Sequence, residues 1–298
     1  MALSDFEIIS RYRQNYGLPT DVSLSDIERH RELEAELTSK LLNSTPENRW
    51  QVFDRCYTSL YASLPWLNKA DTGQREARYN AWAALLKMPS TIFEVGSGKG
   101  HLLRHLAALG HHCVATEITT ERGEKHLRNV AGMEWRITDG VNLAKFEQKE
   151  TYDAVISSQV IEHFHPDDVH CHFENVRLIL KPEGKYIFDT PHIGAGPHDL
   201  SKVFGLERPA FMHLREYDYR DLGKIAKSTG FREIQAVLFY ESGRFTIGPL
   251  SSHLLFSYYS FVDHVIAVLR LSPRQERTVR RYLRFALVPG NIWLVAQK

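Results

Sequence analysis

Between residues 91 and 189, short apolar segments alternate with segments long enough to form helices. Parallel strands in one sheet need long crossover connections, usually helices, so the alternation predicts a parallel sheet with helices on both faces. The predicted strands are residues 91–95, 112–117, 133–138, 152–157 and 185–189. Ligands of such sheets bind beyond the carboxyl ends of the strands, where we therefore expect the site.

Helical patterns dominate the first 88 residues. Ser25 and Glu28 form a predicted capping box, and Thr45-Pro46 predicts the start of a second helix. An apolar stripe follows, which we interpret as core packing rather than as a ligand-stacking surface. Its members are Trp50, Phe53, Tyr57, Leu60, Tyr61 and Leu64. A further helix is predicted over residues 74–87.

The C-terminal third mixes helices and strands. A helix over residues 219–229, a strand over 231–240 and a last strand over 291–296 are predicted. The apolar stretch 254–271 contains charged residues and is short for a membrane span, so we interpret it as a buried helix or a pocket cap. We predict a helix at 273–287 whose arginine-bearing face is exposed to solvent or, as the alternative, binds an anion. Its arginines are Arg274, Arg277, Arg280, Arg281 and Arg284.

Composition narrows the partners of the chain. Its 37 Lys and Arg balance its 36 Asp and Glu. A dedicated duplex-DNA-binding domain is usually strongly basic, so this balance argues against DNA as a partner. The first residues include acids and lack the apolar core of a secretory signal, so we expect no signal peptide. The three cysteines, Cys56, Cys113 and Cys171, lie far apart in sequence, which favours reduced thiols and a cytoplasmic protein.

The strongest functional signal is the glycine-rich loop Gly96-Ser-Gly-Lys-Gly100, which joins the first predicted strand to the next helix. Glycine is needed where a backbone turns tightly or approaches a ligand closely. The dinucleotide fingerprint places its third glycine one residue later, at the position of His101, and a phosphate-binding P-loop needs Ser or Thr after Lys99. The loop therefore favours a ligand without a pyrophosphate.

Two acids at strand ends narrow the ligand further. Glu117 ends the second predicted strand, where a carboxylate accepts hydrogen bonds from the ribose hydroxyls of a nucleoside. Asp139-Gly140 ends the third and places a carboxylate against an exocyclic amine such as adenine N6. A loop without phosphate-binding features, an acid placed to bind ribose and an acid placed to bind adenine together indicate adenosine without phosphates. S-adenosylmethionine fits that description.

Five segments, in order along the chain, resemble the successive motifs of class I S-adenosylmethionine-dependent methyltransferases. They are Phe93-Glu-Val-Gly-Ser-Gly-Lys-Gly100, Glu117, Asp139-Gly140, Ser158-Gln-Val-Ile-Glu-His163 and Leu180-Lys-Pro-Glu-Gly184. The Val-Ile-Glu-His segment and the later His213-Leu-Arg-Glu-Tyr are most similar to the branch with ubiquinone-biosynthesis and natural-product methyltransferases. The resemblance implies an α/β Rossmann-like sheet of seven mostly parallel strands in the order 3-2-1-4-5-7-6, with residues 291–296 as an antiparallel seventh strand.

The same resemblance implies a division of the chain. Residues 1–88 form a helical N-terminal extension that is a lid or lies on the acceptor side, and residues 89–242 form the cofactor-binding core. Residues 243–288 form a helical insertion that is an acceptor pocket or a lid, and residues 289–298 return to the core as its last strand.

The resemblance also implies where the cofactor lies. Glu94 and the glycine loop contact its amino-acid part, Glu117 its ribose and Asp139 its adenine, while Ser158 and Gln159 lie near the methyl group. The full predicted cofactor-binding set is Glu94, Gly96, Ser97, Gly98, Gly100, Glu117, Ile118, Asp139, Gly140, Ser158 and Gln159.

Histidines supply the candidates for a general base, which a hydroxyl acceptor needs. His163, His165, His192 and His198 follow the fourth and fifth predicted strands. We predict His192 as the base, with His163 as the second catalytic candidate. An RNA-methylating branch of the superfamily holds a metal with a Glu-x-x-Glu-His set and another histidine. Gln159 replaces the first glutamate here, which weakens a hard-cation site, so no metal is predicted.

The sequence predicts an S-adenosylmethionine-dependent methyltransferase that transfers a methyl group in-line to a small-molecule acceptor, at a hydroxyl oxygen, and releases S-adenosylhomocysteine. An anionic group on the acceptor is one option, given the arginine-bearing helix. The alternatives are an RNA 2'-O-methyltransferase with a metal-assisted site and a catalytically inactive nucleoside-binding module. An NAD-dependent oxidoreductase is the weakest alternative, because the glycine spacing disagrees with it.

Overall fold

The structure, a computed structural model, describes residues 3–17, 22–64, 66, 76–120, 123, 130–242, 245–283 and 290–298, with only the backbone at 240–242, 245–248 and 283. Its helices are α1 Asp5–Tyr16, α2 Leu24–Leu42, α3 Arg49–Ser63, α4 Glu76–Ala83, α5 His101–Ala108, α6 Val169–Ile179, α7 Tyr219–Ser228, α8 His253–Val268 and α9 Pro273–Leu283. Its strands are β1 Thr91–Val95, β2 His112–Glu117, β3 Met133–Ile137, β4 Tyr152–Ser158, β5 Leu180–Pro191, β6 Glu233–Ser242, β7 Phe245–Ser252 and β8 Asn291–Gln297. Within these ranges, no helix has the length and apolar character needed to cross a membrane.

The described strands form one sheet in the order β3-β2-β1-β4-β5-β8-β6-β7. β1 to β5 are parallel, whereas β8 is antiparallel to both β5 and β6. Because successive side chains of a strand point to opposite faces, each central strand contributes to two cores. Phe93 and Val155 belong to one buried cluster, and Ile92 and Ile156 belong to the other. The α/β Rossmann-like architecture predicted from the alternation is therefore present.

The strand count and order differ from the predicted seven strands in the order 3-2-1-4-5-7-6. An additional strand, β7, pairs antiparallel with β6 and forms the edge of the sheet. It lies in the segment 243–288, which was expected to be helical throughout. Leu250 of β7 is 60% exposed, and an edge strand with exposed side chains gives a weak hydropathy signal. The predicted antiparallel last strand is observed, as the eighth strand rather than the seventh.

Several predicted element ends also shift, for local reasons. The capping box of α2 is formed by Ser23 and Asp26, not by Ser25 and Glu28. β5 begins at Leu180, because the predicted turn 181–184 is an irregularity within the strand rather than a separate loop.

Helix α3 begins at Arg49, after the N-cap Asn48, rather than at Thr45-Pro46. Parts of two predicted helices lie outside the described residues, namely 74–75 and 284–287, and with them Arg284.

The N-terminal helices lie over the carboxyl end of the sheet. Phe53 of α3 packs in a buried cluster with Met212, and Ile118, which directly follows β2, packs against the same cluster. A largely buried ion pair joins Arg49 at the start of α3 to Asp168, just before α6. The helical extension and the sheet therefore enclose the edge at which a ligand of a parallel sheet is expected.

Candidate active site

A cavity of about 410 Å³ lies at this edge, within the usual size range of small-molecule sites. Part of its wall consists of residues that end or directly follow strands β1 to β4. They are Val95, Gly96, Glu117, Ile118, Thr138, Asp139, Gly140, Gln159 and Val160. Helices α1 to α3 supply Asn15, Tyr16, Glu34, Phe53, Tyr57, Leu60 and Tyr61. Later segments supply His163, Phe164, His198, Asp199, Leu200, Met212 and His213.

The predicted cofactor residues divide into two groups by position. Those that line the cavity are Gly96, Glu117, Ile118, Asp139, Gly140 and Gln159. Those that do not are Glu94, Ser97, Gly98, Gly100 and Ser158. Of the two predicted catalytic histidines, His163 lines the cavity and His192 does not.

The glycine loop needs its glycines for conformation and for space. Gly96 has φ of +66°, and a Cβ there would lie 2.7 Å from Cγ2 of Val160. Gly98 and Gly100 have φ of +54° and +68°, also in the left-handed region. Ser97 N donates to the Thr116 carbonyl at 2.8 Å, which holds the loop against the end of β2. Ordinary side chains at these positions would strain the loop that borders the cavity.

Glu117 is held in place by the backbone around it. Gly98 N donates to its Oε1 at 3.1 Å, and Ile118 N donates to its Oε2 at 3.0 Å. The side chain lines the cavity although the residue is only 9% exposed. Each carboxylate oxygen has further acceptor capacity. The group is therefore an oriented acceptor at the cavity wall, as a ribose-binding acid must be.

The carboxylate of Asp139 accepts hydrogen bonds mainly from residues of its own turn. Its Oδ1 accepts from Val141 N at 2.9 Å and Asn142 N at 2.8 Å, and its Oδ2 accepts from the Asn142 amide at 2.7 Å. Gly140 has φ of +71°, and a Cβ there would lie 3.1 Å from the ring of Phe164, which also lines the cavity. The turn thus presents a carboxylate edge and an aromatic ring to the same part of the cavity.

Glu94 is buried behind the glycine loop rather than exposed to the cavity. Its Oε2 has no hydrogen-bond partner among the described residues. Burial, reinforced by the charges of Glu117 and Asp189, raises the pKa of Glu94 to about 8. The carboxyl is therefore protonated at neutral pH, and a cation brought near it would favour its ionised form.

A hydrogen-bond network joins the end of β4 to β5 and includes Arg78, which the sequence did not predict as a site residue. Gln159 has φ of +57°, a conformation that costs a non-glycine residue free energy. Its side-chain amide donates to Asp189 at 2.7 Å, and Arg78 donates to the same carboxylate at 2.7 Å. Arg78 also contacts Ser158 at 3.4 Å. This network fixes Gln159 at the cavity wall and holds Ser158 away from it.

A cluster of histidines and glutamates forms another part of the wall. His213 Nδ1 is 2.9 Å from Glu216 Oε1, and His198 Nδ1 is 3.4 Å from Glu216 Oε2. His163 stacks edge-on against His213, with ring centroids 4.8 Å apart. Glu162 is fully buried beside them and accepts from Thr190 at 3.0 Å.

The titration of this cluster follows from its contacts. Burial would lower the pKa of His213, but the hydrogen bond to Glu216 and the charges of Glu162 and Glu216 raise it above 6.5. Burial alone would raise the pKa of Glu216, yet its two histidine partners hold it at about 2. Burial raises the pKa of Glu162 to about 7, against the opposing charge of His213. His213 therefore holds its proton more tightly than an ordinary histidine, beside an ionised carboxylate.

The same cluster has the composition of a metal site. Glu162, His163 and His213 each offer a ligand atom, and these atoms lie within 4.8 Å of one another. His163 Nδ1 contacts the Met212 carbonyl, and His213 Nδ1 contacts Glu216, both at 2.9 Å. Metal-binding histidines are usually oriented in this way through their second ring nitrogen. The donor set therefore fits a divalent ion, with His213 in place of the histidine considered from sequence.

His192, the predicted base, occupies a different environment. Its side chain is buried, with Nε2 3.1 Å from Asp263 and Nδ1 accepting from Gly194 N at 2.9 Å. Asp263 also pairs with the buried Arg280 at 2.8 Å. Nε2 thus links the end of β5 to α8, whose Asp263 also holds Arg280 of α9, whereas Nδ1 accepts within the turn that follows β5. The position gives His192 a structural role and no cavity-facing atom, which the pattern of residues after β5 did not indicate.

The aromatic stripe on α3 is not only core packing, as the sequence interpretation had it. Phe53 and Leu60 do belong to a buried cluster, but both also border the cavity. Tyr57 and Tyr61 line the cavity too, and the Tyr57 ring lies edge-on to His163 at 6.2 Å. Aromatic spacing on a helix does not distinguish a core face from a ligand-facing one. Only the position of α3 over the sheet does so.

The chain matches a family described as a methyltransferase domain over residues 71–236, more than half of its length. The chain belongs to this family. Membership of this family, together with a glycine loop beside Glu117 that lacks phosphate-binding features, identifies S-adenosylmethionine as the cofactor, as the sequence predicts. No curated protein matches the chain.

One solved structure shows the same fold, and two others are less similar. A SAM-dependent methyltransferase from Archaeoglobus fulgidus has a TM-score of 0.52 at 16% identity, covering 81% of this chain and 99% of that one. A possible histamine N-methyltransferase from Thermotoga maritima has a TM-score of 0.49 at 14% identity, covering 84% and 99%. The 1,6-didemethyltoxoflavin-N1-methyltransferase from Burkholderia thailandensis also has 0.49 at 14%, covering 86% and 91%. At these identities the likeness extends to the fold alone.

Proposed function

We propose that this methyltransferase binds S-adenosylmethionine at the ends of β1 to β4 and transfers its methyl group to a small molecule held beneath α1 to α3. The observation that carries the proposal is the orientation of Glu117. Its carboxylate is fixed by Gly98 N and Ile118 N beside the glycine loop and borders a cavity of about 410 Å³. An oriented acid next to a loop without phosphate-binding features suits a ribose without a pyrophosphate.

The proposed contacts follow the two groups of cofactor residues. Glu117 and Ile118 contact the ribose, and Asp139 with Gly140 contacts the adenine. Gly96 and Gln159 border the methionyl part, where the reacting methyl group lies. Glu94, Ser97, Gly98, Gly100 and Ser158 shape these contacts from behind the wall rather than by touching the cavity. The branch with ubiquinone-biosynthesis and natural-product enzymes is our proposed placement within the family, on the Val-Ile-Glu-His segment.

The acceptor side of the cavity is proposed to come from the N-terminal extension, residues 1–88. Helices α1 to α3 contribute seven of the residues that line it, from Asn15 to Tyr61. The described residues of the insertion, 245–283, contribute none. We therefore assign acceptor binding to the extension, and we assign the insertion to support of β5 through Asp263 rather than to the acceptor pocket.

For the acceptor atom we propose a hydroxyl oxygen, because the cavity contains a group able to take its proton. In neutral His213, Nδ1 donates to Glu216 and Nε2 carries the lone pair. As the oxygen attacks the methyl carbon, the C–S bond breaks, S-adenosylhomocysteine leaves, and the hydroxyl proton passes to Nε2 of His213. The sulfonium methyl is already electrophilic, so positioning and proton removal are the main tasks of the protein.

The test is a titration followed by turnover. Isothermal titration calorimetry with S-adenosylhomocysteine and, separately, with NAD is expected to detect binding of the first only. A metabolite extract with S-adenosylmethionine is then expected to yield products heavier by one methyl group in mass spectra. Binding of NAD instead would favour the oxidoreductase alternative, and cofactor binding without any methylated product would favour the inactive module.

A metal-assisted reaction is the second candidate, favoured by the proximity of Glu162, His163 and His213. A divalent ion there would lower the pKa of an acceptor hydroxyl bound to it. Elemental analysis of the purified protein before and after dialysis against a chelator, with turnover measured on both samples, separates the two mechanisms. Full activity in the metal-free sample would contradict the metal-assisted mechanism. The RNA alternative has less support, because no Lys or Arg is among the described residues that line the cavity.

A further inference from the structure

A chain of buried hydrogen bonds runs through the N-terminal helices and ends at the cavity. Trp66 Nε1 is 2.9 Å from the Tyr12 hydroxyl, which is 2.8 Å from His30 Nδ1. His30 Nε2 is 2.8 Å from Oε1 of Glu34. Glu34 lines the cavity, whereas Tyr12 and His30 are completely buried behind it.

One arrangement gives every donor of this chain an acceptor. Indole Nε1 can only donate, so the Tyr12 oxygen accepts from Trp66 and its own hydrogen points to His30 Nδ1. Burial raises the pKa of Tyr12 to about 12, so that hydrogen is retained. In this arrangement neutral His30 carries its hydrogen on Nε2, which donates to Glu34 Oε1. The chain therefore presents Glu34 to the cavity as an acceptor with a fixed orientation.

The second oxygen of Glu34 has no such donor. Oε2 is buried and has no hydrogen-bond partner among the described residues, although the residue is only 5% exposed. An unpaired carboxylate oxygen away from water is costly unless a ligand supplies a donor or a positive charge. The Tyr57 hydroxyl is likewise buried without a partner in the described part of the chain.

The charge of the surrounding wall indicates which ligand would complete the site. Glu34, Glu117, Asp139 and Asp199 all line the cavity, and its described lining contains neither Lys nor Arg. The two oxygens of Asp199 accept from Ser201 N at 3.0 Å and from Phe211 N at 2.9 Å, so Asp199 is held by backbone donors and Glu34 is not. An anionic group on the acceptor, an option left open by the sequence, would be repelled here.

We propose that Glu34 Oε2 binds a positively charged nitrogen group of the acceptor, with the Tyr57 ring and hydroxyl beside it. The acceptor class is then an alkylammonium compound with an apolar or aromatic body, which also carries the hydroxyl that is methylated. This inference rests on the proposed function and adds the substrate class to it. Aromatic faces and buried carboxylates are the usual partners of ammonium groups.

The test uses two probes that differ in one group. Tyramine carries an ethylammonium chain, and 4-(2-hydroxyethyl)phenol carries a hydroxyl in its place. Their Kd values are measured by calorimetry on protein saturated with S-adenosylhomocysteine. We expect tyramine to bind about tenfold more tightly than the neutral probe, and Glu34→Gln to reduce this ratio to about one. Glu36→Gln, on the exposed side of α2, is the matched control and is expected to keep the wild-type ratio.

The outcomes separate this site from the cofactor site. Equal affinities of the two probes for the wild type, no binding of either, or an unchanged ratio in Glu34→Gln would overturn the inference. A loss of S-adenosylhomocysteine affinity in Glu34→Gln would overturn it too, because Glu34 would then contact the cofactor. If the wild type does not bind S-adenosylhomocysteine, the proposed function is wrong. In that case the ratio of the two Kd values, measured without S-adenosylhomocysteine, tests the Glu34 site alone. If Glu34→Gln does not fold, the wild-type ratio tests the inference.

Discussion

The two parts of the cavity wall are built in different ways. At the strand ends, carboxylates are held by backbone N–H groups close in space, as Glu117 is by Gly98, and Asp139 is held by its own turn. On the helical side, the polar groups come from segments far apart in sequence. Two of them, Glu34 Oε2 and the Tyr57 hydroxyl, have no partner among the described residues.

One part of the wall is therefore complete before a ligand binds, and the other is not. The strand-end acids already have oriented hydrogen bonds, so a cofactor meets a preorganised surface and little ordering is needed to bind it. The helical side keeps buried polar atoms whose partners a ligand must supply. Changes at the strand ends should therefore alter S-adenosylhomocysteine affinity, whereas changes in the helical and histidine part should alter turnover or acceptor choice.

The largest expected effect is on turnover. His213→Asn removes the proposed base, so we expect methyl transfer to an active metabolite extract to fall by about a hundredfold or more. S-adenosylhomocysteine affinity should stay unchanged. In the wild type, the rate should rise with pH through a pKa above 6.5, because the ring must lose its proton to act as a base. A variant with wild-type turnover would remove His213 from the mechanism.

His192→Ala is the comparison for that experiment, since the sequence predicts His192 as the base. The ring is buried against Asp263 and away from the cavity. We expect a loss of about 2–4 kcal/mol in the free energy of unfolding, measured with urea, and near-normal turnover per folded molecule. Normal stability with lost turnover would restore the original prediction.

The next largest effect is expected at the glycine loop. In Gly96→Ala, the left-handed conformation costs about 1–2 kcal/mol, and crowding against Val160 costs about 1–3 kcal/mol more. If the loop moves to relieve this, the Kd for S-adenosylhomocysteine should rise by about a hundredfold. Gly17→Ala has a similar φ of +61° in open space and is the matched control. It should lose stability but keep affinity, and equal losses in both variants would refute the steric argument.

How much the sequence could predict also differs between the two parts. The alternation and the loop residues 96–100 predicted β1 to β5 and most of the strand-end wall, because those contacts are local or follow from strand direction. Glu34, Tyr57 and His213 meet only after α2, α3 and the segment before α7 fold over the sheet. No spacing along the chain records such a contact, so these residues were missed as site residues or interpreted as core.

The same reasoning applies to the histidines that follow β5. His192 and His198 both follow β5, and sequence order alone cannot tell which ring faces the cavity. The local conformation buries His192 with Asp263 and leaves His198 at the wall with Glu216. Edge strand β7 was missed for a related reason, since its backbone pairing with β6 does not follow from residue spacing along the chain.

A smaller loss of affinity is expected at the ribose acid. Glu117→Gln keeps the shape but removes the charge and one acceptor, so the Kd for S-adenosylhomocysteine should rise by about tenfold. The control is Glu134→Gln on β3, where the glutamate is half exposed and pairs with Arg136. Calorimetry on both variants measures the difference. An unchanged Kd in Glu117→Gln would mean that the carboxylate does not hold the ribose.

The last expected effect is a pH dependence of stability that arises at the glycine loop. The pKa of Glu94 is about 8 in the folded protein, against about 4.5 for an ordinary glutamate, so the folded state keeps a proton that the unfolded chain releases. Its contribution to stability is therefore full below pH 4.5 and is lost as pH rises to about 8. Relative to Glu94→Gln, the wild type should lose about 1.4 kcal/mol of unfolding free energy per pH unit in this window. Bound S-adenosylhomocysteine should flatten that slope, because its ammonium group favours the ionised carboxylate. Urea titrations between pH 5.5 and 8.5, with and without the ligand, measure both slopes, and a slope that the ligand leaves unchanged would place its amino-acid part away from Glu94.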